Sequence, residues 1–271
     1  MHKVLLTKAS AVLFFVASLG VCSAQISTSS VAQRDPTAVT VVTKAIVTMG
    51  TTGGAAAISA IQDWTANGSV TFFYWKDNDP QGTFTAKGRG LYQFRIDSAL
   101  PDGAHGWIVS NGAGLFENPN GTTKPIPNHD AVALGTFTLP VIRLAVALAD
   151  PTYSLSCKQV QNGSQQFYQV SVAKTFSSQE DPDGGLSKLE TFDFFIDANT
   201  YLITGVHNGI HPPDFVTISI PHDVYYSNYQ PVNGILVPFS INEFKAGQKV
   251  WSLQVSSVQF NTGLTDADFK F

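Results

Sequence analysis

Cysteine is nearly missing from this 271-residue chain, which holds two, Cys22 and Cys157. Charge is sparse too, with 16 Lys and Arg against 20 Asp and Glu and a net −4. No basic patch or stripe occurs, so the electrostatic footprint needed to grip a nucleic-acid backbone is absent. So is the polybasic segment that would hold an anionic membrane surface. No G-x-S-x-G motif exists, and no Gly-rich loop joins a strand to a helix start, which removes a nucleophile elbow and a phosphate cradle. The carboxylate pairs Asp181/Asp183 and Asp266/Asp268 fall in turn-like segments and read as solubilising charge. No acidic residue completes a calcium loop after Asp181.

What the chain does have is apolar mass: 44% of its residues are hydrophobic and 19 are Phe. His2, Lys3 and Lys8 precede the apolar run Ala11–Val21, and small residues at Cys22-Ser23-Ala24 follow. That order is a cleavable secretory signal over residues 1–24, cut after Ala24, and the run is too short to span a bilayer. A lipid-attachment reading of Cys22 meets Val21 where a small residue is required. Cleavage removes Cys22, so Cys157 stands alone, no internal disulfide forms, and the core must carry the stability. In an apolar–polar alternation Cys157 reads as a small core residue. Past the signal no stretch reaches membrane-helix length, so the apolar load must fold inward.

Residues 25–34 are polar and aperiodic and read as a flexible leader to a single domain over 35–271. Asp35-Pro36 is a helix start, and Ala38, Val41, Val42, Ala45, Ile46 and Met49 repeat at the spacing of one helix face until Gly50. A shorter helical piece runs from Ala55 to Ile61, and Leu139–Leu148 fits a third helix behind Pro140. From Ser69 the period changes to strand-like runs rich in Val, Ile, Thr, Phe and Tyr, broken by Gly, Asn, Asp and Pro. Strands follow strands without helix alternation, which predicts a mainly β fold with an antiparallel sheet of about 11 strands. Thr71–Trp75 and Phe192–Ile196 are apolar on both faces, and a sheet with one wet face would alternate. The helices at 36–61 and 139–148 are the natural cover for a sheet strongly curved around an apolar interior.

Histidine offers the main opening for catalysis. His207 and His211 stand at i, i+4 and His222-Asp223 follows, but Gly209 and Pro212-Pro213 remove the helix that would make that spacing a metal site. His105 and His129 sit in loops. No catalytic residue, metal ligand or cofactor is assigned. By alternation the concave-face candidates are Phe72, Tyr74, Tyr92, Phe94, Phe192, Phe194, Val237, Phe239, Trp251 and Leu253, as plain core or as the lining of an apolar ligand cavity.

Three stretches resemble the LolA-like group of periplasmic lipoprotein carriers, in the same order along the chain from about Thr37. The first is Phe94-Arg95-Ile96 followed by Gly106-Trp107-Ile108-Val109-Ser110-Asn111-Gly112 and Leu115-Phe116-Glu117-Asn118-Pro119. The second is Phe195-Ile196-Asp197-Ala198-Asn199-Thr200-Tyr201-Leu202-Ile203, and the third is the ending from Val258 to Phe269. The resemblance implies an incomplete antiparallel barrel with helices as a lid over an apolar cavity that holds acyl chains of lipids or lipoproteins in the periplasm. A monomer is expected, with envelope membrane proteins as further candidate partners. Arg89, followed by Gly90 where the family carries proline, is the candidate contact to a lid whose apolar face is Val41, Val42, Ala45, Ile46 and Met49.

Three functions therefore stand open: a carrier or sensor of lipid or lipidated protein, a hydrolase using His207, His211, His222 and Asp223, and an envelope interaction module pairing through sheet edges.

Overall fold

The computed structural model describes residues 32–73, 79–126, 131, 139–182, 185–212 and 217–270. The proposed signal segment, Tyr74 and His129 lie outside them. Helix α1 (Pro36–Met49), a 3₁₀ turn (Thr51–Gly53) and α2 (Gly54–Ser59) lead into β1 (Asp63–Phe72), β2 (Gln81–Arg89), β3 (Gln93–Leu100), β4 (Gly103–Ser110), β5 (Ala113–Glu117) and β6 (Thr123–Ile126). After α3 (Pro140–Ala149) come β7 (Tyr153–Asn162), β8 (Gln165–Lys174), α4 (Gly185–Leu189), β9 (Thr191–Asp197) and β10 (Ile203–Ile210). Strands β11 (Ile220–Val232), β12 (Ile235–Lys245) and β13 (Gln248–Phe260) and a 3₁₀ turn (Asp266–Phe269) end the chain.

All thirteen described strands form one sheet in the order β6-β5-β4-β3-β2-β1-β13-β12-β11-β10-β9-β8-β7. Each described pairing between these strands is antiparallel. The chain walks outward from β1 to β6, crosses by way of α3 to the far edge at β7, and walks back until β13 closes on β1. β6 and β7 remain as two edges, so the barrel is incomplete. Register shifts at Asn67/Gly68, Ile203/Gly205 and Glu243/Phe244 add local twist where the sheet must bend. At the first of them Gly68 is required by close approach, since a Cβ there would lie 2.0 Å from the Gln254 carbonyl oxygen.

The Asp35 side chain accepts from the Thr37 N–H at 2.8 Å, and Pro36 occupies the first turn of α1. Ala38, Val41, Val42, Ala45, Ile46 and Met49 are all buried, as the helical spacing predicts. They pack with α3 and the β7, β8 and β12 faces of the sheet. Ala246 and Gly247, with φ of 51° and 75°, form the tight β12–β13 turn.

Three boundaries depart from the sequence reading. Residues 33 and 34 are fixed rather than loose: Leu155 N–H donates to the Gln33 carbonyl and Asp35 N–H to the Leu155 carbonyl, extending the β7 edge. Arg34 donates to the carbonyls of Ala147, Leu148 and Asp150, capping α3. A single charged side chain aimed at a helix end leaves no periodic trace. β1 starts at Asp63 rather than Ser69, because the bulge at Asn67-Gly68 disrupts its alternation. β6 was not expected, since Pro125 interrupts a four-residue strand, a placement that an edge position tolerates.

Candidate functional site

The cross-strand register sets the inner face in rows. One row runs Tyr226, Ile241, Leu253 and Val70 across β11, β12, β13 and β1, and the next runs Val224, Glu243, Trp251 and Phe72. On the other half of the sheet Ala86, Ile96, Trp107 and Phe116 share a row, and Phe84, Ser98 and His105 the one beside it. Facing residues of an antiparallel pair point the same way, so these rows converge as the sheet curls.

Where they meet is an apolar pocket lined by Val70, Phe72, Phe94, Ile96, Trp107, Phe116, Trp251 and Leu253, with Ser98, His105 and Gly106 completing the wall. The space enclosed is about 30 Å³, room for a water or two rather than for a ligand. Phe72, Ile96, Trp107 and Phe116 are half-buried, whereas Val70, Phe94 and Leu253 at the base are buried. The wall is therefore firm below and adjustable above.

Of the ten concave-face candidates, Phe72, Phe94, Trp251 and Leu253 are brought together in this pocket. Phe192, Phe194, Val237 and Phe239 are buried in the main core. That core holds the helices on the β7–β12 half of the sheet. Tyr92 lies in the β2–β3 turn beside Tyr153, whose hydroxyl is pushed well up in pKa by burial and then by Tyr92 and Glu190. The helices thus fill one half of the concave face, and the pocket opens on the other, with no residue of α1 in its wall. Arg89 does not reach α1 either. It donates to Gln93 at 2.6 Å and to the Leu264 carbonyl at 3.3 Å, pairs with Asp266, and lies over the Phe269 ring, so it clasps the C-terminal segment.

Sequence reasoning missed Val70 on β1 and Ile96, Ser98, His105, Gly106, Trp107 and Phe116 on β3 to β5. Their alternation was visible, but only the sheet order shows that β3–β5 curl to face β13.

The histidines proposed for a hydrolase separate. His207 bonds Asp223 at 2.8 Å on the face away from the helices. There an open groove of about 720 Å³ runs among Gln161, Gln169, Asp193, Phe195 and Tyr225. His211 Nδ1 meets the Ile218 carbonyl at 2.8 Å. His222 is fully buried on the inner face, with Nδ1 2.6 Å from Asn208 Oδ1 and Nε2 2.8 Å from Glu243 Oε1. Adjacent residues on a strand point to opposite faces, which is why His222 and Asp223 part. Among the described residues no group of three or more His, Cys, Asp and Glu is placed to hold a metal ion. Cys157 is half-buried, its thiol pKa raised by burial and then by Asp35.

A second polar cluster lies inside the core. Arg143 of α3 is buried, pairs with Glu190 at 3.2 Å and lies 3.9 Å from the centre of the Phe192 ring. Its charge is matched within the fold.

No family model matches the sequence, and no curated protein matches it. The fold does match solved structures. A LolA superfamily protein from Nitrosomonas europaea superposes with a TM-score of 0.53 at 10% identity, covering 86% of this chain and 97% of that one. A DUF1329 family protein from Desulfovibrio piger gives 0.50 at 10% identity over the same shares. A putative outer membrane lipoprotein-sorting protein domain from Vibrio parahaemolyticus gives 0.47 at 12% identity, covering 76% and 88%. The chain has a LolA-like fold, an open antiparallel barrel with helices against its concave face.

Proposed function

We propose that the protein is a periplasmic binder or carrier of lipid or lipidated protein, which acts by holding an acyl chain rather than by turning over a substrate. The observation that carries this reading is the pocket between β1, β3–β5 and β13, an apolar wall on a sheet whose other half is already filled by helices. Its aromatic rim is where an incoming chain gains most. Burying one apolar side chain or a few methylenes is worth roughly 0.8 kcal/mol per CH₂. A chain of ordinary length therefore has enough free energy to displace Phe72, Trp107 and Phe116 from their resting rotamers. The resting pocket is too small for a chain, and the ligand enters by moving that rim while Val70, Phe94 and Leu253 stay fixed. The sequence resemblance to lipoprotein carriers and the secretory signal motif at residues 1–24 point to the same cargo and the same compartment.

Native mass spectrometry of protein purified from a periplasmic extract without detergent, paired with uptake of the neutral dye N-phenyl-1-naphthylamine, tests this. The expected result is dye uptake that Ser98→Leu, which fills the pocket from its wall, weakens by about tenfold, together with an added mass that dissociates as lipid or acylated peptide. Absence of both dye uptake and added mass would rule the reading out.

A further inference from the structure

We propose that the outer face of the β7–β11 half of the sheet carries a second binding site, a groove that takes an uncharged oligosaccharide. The register puts Ser171, Asp193, His207 and Asp223 in one row across β8 to β11, and Gln169, Phe195, Gly205 and Tyr225 in the next. Phe167 of β8, opposite Val160 of β7, adds a third ring one row further on. Strand alternation turns these side chains outward, while Phe194 and Val224, between them in sequence, are buried in the core. The groove over these rows has about 720 Å³ of space and a wall that reaches from β7 to β11. Five strands at about 4.8 Å spacing make it roughly 19 Å across, which suits a ligand of several rings rather than one. Its far end lies on β7, an edge strand, so a longer chain can run out over the side of the sheet.

A sugar ring offers an apolar face of C–H groups and a rim of hydroxyls, so its site needs flat rings to stack on and planar groups that donate and accept. Both are present. Tyr225 is 49% exposed, and its ring leans over Gly205, where a Cβ would lie 3.2 Å from Cδ1. Phe244 meets that ring edge-on, 5.4 Å between centres, and holds it in place. Phe195 stands on the other side of Gly205. Beside the rings, Asp193 accepts from Gln169 Nε2 at 2.8 Å and from the Ser171 hydroxyl, and Asp223 Oδ1 meets His207 Nδ1 at 2.8 Å. An ionised carboxylate accepts at about four sites, so both stay oriented and keep room for hydroxyl donors. Among the described residues Asp223 Oδ2, His207 Nε2 and the Tyr225 hydroxyl take part in no hydrogen bond. Asn162 and Gln165 add amides that donate and accept at the β7 end. The wall holds two carboxylates and neither Lys nor Arg, and Lys158, cross-strand from Gln169, lies outside it. That charge repels a sugar acid or a sugar phosphate and accepts the hydroxyls of an uncharged sugar. An extended peptide would add to an open strand edge, whereas this groove is a sheet face made of side chains.

The test is calorimetric titration and saturation-transfer NMR of the full chain with cellohexaose, maltohexaose and N-acetylchitohexaose. Hexagalacturonate and the glucosamine hexamer serve as the anionic and cationic comparisons. The expected result is binding of at least one uncharged hexamer, about tenfold tighter than hexagalacturonate. Tyr225→Ala and Phe195→Ala should each weaken it by about tenfold, because both remove a ring from the platform. Ser98→Leu, inside the apolar pocket on the opposite face, should leave it unchanged. Failure of all three uncharged hexamers to bind overturns the site, as does binding that both outer-face variants leave intact. A glucosamine hexamer tighter than every uncharged one would show that the carboxylates alone hold the ligand, and overturns the uncharged class. The dye reads the pocket and the sugars read the groove, so either proposal can fail without the other.

Discussion

Lys245 on β12 and Trp107 on β4 meet with 5.5 Å between ammonium and ring centre, although four strands, β3, β2, β1 and β13, separate them in the sheet. Across a flat sheet with strands about 4.8 Å apart, that path would be roughly 24 Å. The contact is therefore a direct measure of how far the sheet curls. A double-mutant cycle of Lys245→Met and Trp107→Leu should give a coupling of about 0.5–1 kcal/mol in chemical denaturation. A coupling of zero would mean that the two halves of the sheet do not close in solution.

The buried pair of His222 and Glu243 is a fold determinant whose two members are unequal alone and balanced together. Both are fully buried. Glu243→Ala would leave His222 and Lys245 without their shared acceptor and should cost about 3–5 kcal/mol. The pair His222→Leu, Glu243→Leu should recover most of that loss. Urea unfolding of the two variants measures it, and a Glu243→Ala variant as stable as the parent would contradict the assignment.

Asp63 ties the C-terminal segment to the start of β1. Its carboxylate accepts from Thr262 N–H and Oγ1 at 2.6 and 2.8 Å, Gly263 N–H at 3.0 Å and Leu264 N–H at 3.1 Å. Burial works to raise its pKa, but the bonds from Thr262, Leu264 and Gly263 outweigh it and hold the carboxyl below the ordinary range. A lowered folded pKa means that the stabilisation is present above the unfolded value near 3.9 and is lost as pH falls through the folded one. Asp63→Asn should therefore destabilise by about 1–3 kcal/mol at neutral pH and flatten the stability profile below pH 4. Thermal melts from pH 7 to pH 2.5 check both.

Helix α1 is core, so truncation inside its buried face should be severe. Met49→Ala, at a residue with no exposure, is expected to cost about 2–5 kcal/mol. Val47→Ala, on the exposed side of the same helix at 46%, should stay within about 0.5 kcal/mol. Equal effects would mean that the helix is not packed against the sheet.

Much of this architecture was legible in the residues. Asp35-Pro36 and the repeat from Ala38 to Met49 define α1 and its buried face, because capping and helical period are local properties. The Asp197–Ile203 stretch that resembles the carrier family is also local chemistry. Asp197 Oδ1 accepts from the Asn199 and Thr200 N–H groups and the Thr200 hydroxyl, which makes the β9–β10 turn. The pocket was only half legible. Phe72, Phe94, Trp251 and Leu253 follow from alternation, but Trp107 and Phe116 belong with them only through a sheet order in which β13 returns to β1. Non-local pairing of that kind leaves no periodic signature. Arg89, the candidate contact to the lid, instead pairs with Asp266, and nothing in Gly88-Arg89-Gly90 tells a helix contact from that one.

The most direct test of the carrier account is photolabelling with a palmitate analogue bearing a diazirine near its chain end, followed by peptide mapping of the labelled protein. The account predicts labels on Val70, Phe94, Trp251 or Leu253 that excess palmitate suppresses. Labels confined to the outer groove around Phe195 and Tyr225, or scattered without competition, would contradict it.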